Sequence, residues 1–267
     1  MSGPIGRRRA NGFSLIEMMT ALLIFLIISA VAFSLLGIAQ KRYQTESEVL
    51  NSFQEARLGL DQIVRDVSDA GYPPANQFTF GPSTPPVNLY ASSPFAWPNY
   101  FTSSCSIGTC STPNDFDLII ETQVAGQSCA NSGVSWLRYQ LVGTTLYRGV
   151  TCKSSSSTDP DSETLGSLVP YVQNVMNNAS ASQIGQFQTY YPSLFPGGAP
   201  VPIFTYTCDT AGGPQSCVLA SPSDNSPMNI RAVGVTLIIS APVPDAQTGA
   251  PRLVELNGRG SRVNPSQ

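Results

Sequence analysis

From Met18 to Ala39 the chain carries no charged residue, and behind that run polarity rises abruptly at Gln40-Lys41-Arg42. Apolar residues then recur in steps of three and four at Val49, Leu50, Phe53, Ala56, Leu60, Ile63, Val64 and Val67. At ~1.5 Å per helical residue the uncharged run covers ~33 Å, enough to cross a bilayer core. The stepped run puts its apolar residues on one helical face, with Glu, Gln, Arg and Asp elsewhere. No breaker separates the two, so the pattern predicts a single helix from about Ser14 to Ala70, roughly 85 Å long. Gly59 weakens it locally by about 1 kcal/mol relative to alanine, and Gly71 with Pro73 and Pro74 stops it.

Beyond the helix the periodicity changes. Residues 72–114 are rich in Pro, Ser, Asn and aromatics without a sustained period, which predicts an ordered but irregular segment. Strand signals begin at Asp115, where Phe116, Leu118 and Ile120 alternate with Asp117, Ile119 and Glu121. Residues 135–141 and 145–151 flank Val142-Gly143-Thr144, a hairpin signal. Leu165 to Val175 reads as a short buried segment interrupted by Pro170, and Gln186 to Tyr191 and Ile203 to Cys208 read as strands. Ile230 to Ser240 is the clearest strand, with Arg252 to Leu256 its partner and the Gly258 tail an edge or extension. The expected fold is α+β: a long N-terminal helix, transmembrane in its first half and amphipathic in its second, packed on a C-terminal antiparallel β domain with disulfide-closed loops. The expected segments are a leader at 1–12, the helix at 13–71 (13–39 in the membrane, 40–71 amphipathic), the irregular stretch at 72–114 and the β domain at 115–267.

Charge sharpens this picture. Arg7, Arg8 and Arg9 precede the apolar run, which keeps the N-terminus cytoplasmic and places the bulk outside. Glu17 lies within the apolar block, where a carboxylate costs roughly 2.5–3.5 kcal/mol. The net charge is −3, and loss of the three arginines with a leader takes it to −6. An acidic chain has no general attraction for nucleic acid. The six cysteines, Cys105, Cys110, Cys129, Cys152, Cys208 and Cys217, all fall in the part placed outside the membrane. An even count there reads as disulfides in an oxidising compartment. Local spacing favours Cys105–Cys110 and Cys208–Cys217, leaving Cys129–Cys152, among the fifteen connectivities that six cysteines allow.

The stretch Gly12-Phe13-Ser14-Leu15-Ile16-Glu17, after a short basic leader and before an unbroken apolar helix, resembles the prepilin signal of type IV pilins and type II secretion pseudopilins. The resemblance implies that a prepilin peptidase cuts between Gly12 and Phe13 and that Phe13 becomes N-methylated. It also implies that Glu17 meets the positive α-amino group of a neighbouring subunit during assembly. A signal anchor or an ordinary secretory signal, with Ala30-Val31-Ala32 as its cleavage site, would share the apolar run. Neither requires glycine before Phe13 or Glu17 four residues after it. Major pilins of this kind commonly carry proline near Ser34, and only Gly37 could soften that region here.

Three further patches resemble PilW-family minor pilins: Arg65-Asp66-Val67-Ser68-Asp69-Ala70-Gly71-Tyr72 at the helix end, Leu137-Arg138-Tyr139 with Leu146-Tyr147-Arg148 in the hairpin, and the strand from Ile230. This resemblance implies a low-copy subunit that primes type IV pili in a tip complex and supports motility or adhesion. Its implied partners are the prepilin peptidase, other minor and major pilins, and the inner-membrane assembly platform. Its location would be the inner membrane, single-pass with a periplasmic C-terminal domain, and then the pilus surface. The alternatives are a J-type minor pseudopilin of type II secretion and a filament-borne binding module for DNA or surfaces. Phe95, Trp97, Tyr100 and Phe101 are the aromatics such a module would use, although core packing is the simpler role for them.

Other chemistry has little footing. The chain has no histidine, which excludes His-based acid–base catalysis and His metal sites. No phosphate-binding glycine loop occurs, and no Cys-x-x-Cys pair offers a zinc set. Asp115 and Asp117 share a strand face, an ordinary place for exposed acids. Asp159, Asp161 and Glu163 alternate as Ca²⁺ ligands do, but lack the glycine and distal glutamate of an EF-hand. A structural protein without cofactors is expected, not an enzyme.

Overall fold

The computed structural model describes residues 14–72, 94–96, 115–127, 129, 134–154, 160–217, 229–245 and 249–263. The chain divides into two units, residues 1–48 and 49–267, and helix α1 (Leu15–Ser68) contributes to both. In the first unit the helix is apolar on every side as far as Ala39, and the large apolar side chains of that stretch are exposed, Phe25 and Phe33 among them at 66% and 72%. It is the one helix among the described residues long and apolar enough to cross a membrane.

In the second unit α1 buries Val49, Ala56, Gly59, Leu60, Ile63, Asp66 and Val67, most of the face that the three-and-four spacing predicts, whereas Leu50 of that series is exposed and Phe53 and Val64 are half-buried. The helix closes at Ser68, slightly before the expected Ala70. Asp69 still donates to the Arg65 carbonyl at 3.0 Å, and Gly71 turns the chain with φ of 80° before donating to the Glu121 carbonyl. A left-handed residue just past a helix end is glycine's usual place.

Two antiparallel sheets follow, which make up the antiparallel β domain that the sequence predicts. The first holds β1 (Phe95–Ala96), β2 (Asp117–Thr122), β3 (Ser135–Val142), β4 (Thr145–Cys152) and β5 (Val169–Val172), in that spatial order. The second runs β7 (Gln215–Ser216), β6 (Phe204–Cys208), β8 (Ile230–Ser240), β9 (Leu253–Ser261). The two sheets and the buried helix face share one core that includes Leu60, Ile63, Leu118, Ile120, Leu137, Phe204, Val233, Val235 and Leu237. The β3–β4 hairpin pairs Val142 with Thr145 across Gly143-Thr144, as its sequence predicts. The tail glycines belong to β9, which extends through Ser261.

Gly260 shows why this strand admits the helix. A Cβ there would lie 2.6 Å from Val67 Cβ and Cγ1 and 2.9 Å from the Val64 carbonyl oxygen. Close approach of this kind leaves no room for a side chain. Gly260→Val is therefore expected to cost about 1–3 kcal/mol by overpacking, read as a lower thermal midpoint, whereas Ser261→Val on the exposed face leaves it unchanged.

Three expectations need correction. Gln186 to Tyr191 is not a strand: residues 186–190 form the second half of α3 (Ala181–Tyr190), and Tyr191 is its C-cap. Ser180 caps that helix with Gln183 as the reciprocal partner, and Ile184 and Phe187, three apart, face a satellite core with Phe195, Ile238 and Leu253. The capping box is the local signal that outweighs the aromatic content. Leu165 to Val175 is not one buried segment. Leu165 ends α2 (Pro160–Leu165) at 54% exposure, and Val169 opens edge strand β5 at 58%. Pro170 sits on that edge, where a missing N–H is tolerated. Asp117 is not an exposed acid either, because β2 is buried on both faces. Arg138 clasps it through Nε to Oδ1 at 2.9 Å and Nη2 to Oδ2 at 2.6 Å.

Disulfides join Cys129 to Cys152 and Cys208 to Cys217, as the spacing favours. Cys105 and Cys110 lie outside the described residues.

Candidate functional site: the N-terminal signal and the helix-end cleft

Glu17 stands in the first turn of α1, and its Oε2 accepts the Ser14 backbone N–H at 3.0 Å. Its carboxylate is exposed, surrounded by exposed Leu15, Ile16, Met18 and Met19. Side chains so apolar on every side of a helix require lipid or other apolar helices as their solvent. A carboxylate set among them carries the insertion cost estimated from the sequence and favours the arrival of a cation. Gly12 and Phe13 lie outside the described residues.

The helix end holds a second concentration of chemistry, which the sequence reading did not single out as a site. Asp66 points inward from the buried stripe of α1. Its Oδ2 accepts the hydroxyl of Tyr139 in a short hydrogen bond and Nη2 and Nε of Arg148 at 3.1 and 3.3 Å, while Gln62 Nε2 donates to Oδ1 at 2.8 Å. Tyr139 and Arg148 face one another directly across the β3–β4 ladder, and Arg148 Nε also donates to the Tyr139 oxygen at 3.0 Å. The guanidinium lies 5.8 and 5.9 Å from the ring centroids of Tyr139 and Tyr171, within cation–π range. The helix-end patch and both hairpin patches thus meet in one cluster. The signal that could have revealed it is an aspartate inside an apolar stripe, since a buried carboxylate demands partners.

Burial, reinforced by the Asp66 carboxylate, pushes the Tyr139 phenol far above its ordinary value, so it stays a neutral donor. Burial opposes the Arg148 charge, yet the oxygens of Tyr139 and Asp66 outweigh it and hold the guanidinium above its ordinary value. Burial likewise raises Tyr206 well above its ordinary value, with Asp117 and Asp115 adding to the effect. Above pH ~10 an unfolded chain releases tyrosine protons that the folded one retains. The stability linked to Tyr139 and Tyr206 is therefore fully present below pH ~10 and falls by about 1.4 kcal/mol per pH unit for each group above it. Alkaline denaturation midpoints should show that slope, and Tyr139→Phe should reduce it by one group.

Beside this cluster a cleft of about 470 Å³ opens between α1 and the end of β2. Gln62 and Asp66 of α1, Asp69 just past its end, Thr122 to Ala125, Arg148 and Tyr171 line it. Thr122 Oγ1 donates to the Asp69 carbonyl at 2.6 Å and fixes the width.

The remaining predicted residues fall elsewhere. Phe95 is fully buried in β1 and belongs to the core, whereas Trp97, Tyr100 and Phe101 lie outside the described residues. Of the Ca²⁺ candidates, Glu163 spends its carboxylate on Trp136 Nε1 at 2.5 Å and on the Ser154 backbone N–H at 3.2 Å. Asp159 and the Asp161 side chain lie outside the described set. Among the described residues no group of three metal-ligating side chains occurs.

Residues 7–33 match the family described as the prokaryotic N-terminal methylation motif. No curated protein and no solved structure matches the chain. The motif covers the basic flank, Gly12, Phe13, Glu17 and the start of the apolar helix. It implies processing by a prepilin peptidase and assembly with other pilins, and it points to a structural protein. The methylation motif, the exposed apolar helix and the antiparallel sheets behind it give this chain a type IV pilin-like signal on a pilin-like α+β layout.

Proposed function

We propose that this chain is a PilW-like minor pilin that helps to prime and assemble type IV pili, in a tip complex at the filament end. The observation that carries the pilin reading is the methylation motif at residues 7–33, running into a helix whose apolar side chains are unpartnered in the single chain. The finer reading rests on the patches that resemble PilW-family proteins. The helix-end and hairpin patches meet around Asp66, which supports treating those patches as one structural unit, because a common requirement to satisfy a buried carboxylate explains why they would occur together.

In this mechanism the chain inserts with its arginines cytoplasmic and its β unit periplasmic. Cleavage after Gly12 frees the Phe13 amine, which is then methylated. The apolar helix leaves lipid for a bundle of pilin helices, and Glu17 of one subunit pairs with the terminal amine of the next. A membrane carboxylate is then neutralised by a cation in the same low-dielectric layer.

A deletion strain tests this directly by counting surface pili and assaying secreted enzymes side by side. Loss of pili and twitching with normal secretion is the expected result. Normal pili with exoproteins held in the periplasm would reassign the chain to type II secretion.

A further inference from the structure

We propose that the helix-end cleft is a binding site for a polyhydroxylated ring, one or two sugar residues in size. The inference stands apart from the pilus-priming reading, since it uses only the geometry of residues 49–267. With a volume of about 470 Å³ the cleft falls in the range of small-molecule sites. Its lining is polar, unlike most such sites, so its ligand must offer many hydrogen-bonding groups.

The charges in the cleft indicate a neutral ligand. Asp66 and Arg148 neutralise each other at 3.1 Å. Asp69 is exposed at the rim, where water screens it. No buried, uncompensated charge calls for an ion. What remains is an alternation of unspent donors and acceptors. Among the described residues, Gln62 Oε1, the Gln123 side-chain amide, the Asp69 carboxylate, Arg148 Nη1 and the Tyr171 hydroxyl take part in no hydrogen bond. Vicinal hydroxyls each donate and accept, and planar amide, carboxylate and guanidinium groups can engage two at once. Tyr171 adds an aromatic wall for the C–H surface of such a ring. The Asp66–Tyr139–Arg148 bonds hold the floor rigid, which lowers the ordering cost of binding.

The test uses the full chain in phosphocholine micelles, free of sugar-based detergent, with saturation-transfer NMR against glucose, galactose, mannose and N-acetylglucosamine. At least one sugar should receive saturation, with an affinity about tenfold weaker in Gln62→Ala/Gln123→Ala, as expected when hydrogen bonds in a polar site are removed. The thermal midpoint of that variant must match the parent. If it does not, Asp69→Asn at the exposed rim replaces it. A free sugar and a polysaccharide end share this chemistry, and maltose measured against dextran separates them. Absence of transfer from every sugar, or transfer undiminished in the variants, would overturn the proposal. So would binding of butylammonium alone, abolished by Asp69→Asn, which would make the cleft a cation site.

Discussion

Asp66→Ala lowers the stability of the folded unit by about 3 kcal/mol, the low end for breaking a buried pair. The estimate follows from what is left behind. Tyr139 is fully buried and would lose the acceptor of its hydroxyl, an orphaned group costing about 1–3 kcal/mol. Arg148 would lose its ion partner, although its side chain is 21% exposed and can recruit water from the cleft. That access keeps the total from reaching the upper end of the range. Asp66→Asn, which retains one acceptor for Tyr139, should cost roughly half as much. For a unit of this size the alanine variant should lower the thermal midpoint by about 6–12 °C, measured by tyrosine absorbance in micelles. An unchanged midpoint would mean the cluster contributes nothing to holding the helix on the sheets.

The second large effect concerns assembly rather than folding. Glu17→Ala removes a carboxylate that costs roughly 2.5–3.5 kcal/mol at bilayer depth, so insertion should become easier. Cleavage after Gly12 should persist, because the change lies four residues beyond Phe13. Incorporation into filaments should nevertheless be lost, since the only charge able to meet a neighbour's amine in that layer is gone. In a deletion strain, the variant should appear processed in the membrane fraction and be missing from sheared filaments. Glu17→Gln should behave in the same way if charge, not hydrogen bonding, is the requirement. Wild-type filament levels with either variant would refute the pairing mechanism.

These two residues differ in how visible they were. Glu17 stands out because a lone charge in an uncharged run violates a strict local rule. Asp66 has the same property one level down, an acid inside an apolar stripe, but a helix with a solvated face makes such a residue look ordinary. Its partners Tyr139 and Arg148 lie 73 and 82 positions later in the numbering. No local spacing can relate positions so far apart. Asp117 was misread for the same reason. Alternation predicted one buried face for β2, but Leu118 and Ile120 enter the main core while Ile119 packs with Ala96 and Trp136 in a separate cluster, so both faces are buried and Arg138 supplies the compensating charge for Asp117.

The sequence by itself determined the apolar and amphipathic parts of the long helix, the β3–β4 hairpin and strand β8, and its local spacing favoured, without choosing among fifteen connectivities, the cysteine pairs 129–152 and 208–217. Each is governed by interactions between residues close in the chain: helical and strand periodicity, turn chemistry, and loop closure over short spans. Only the tertiary structure decided the split into two sheets, the helical state of α3, the fit of Gly260 against Val67, and the cluster with its cleft. Those depend on which distant surfaces meet, and buried polar groups reveal their partners only when the chain has brought them together.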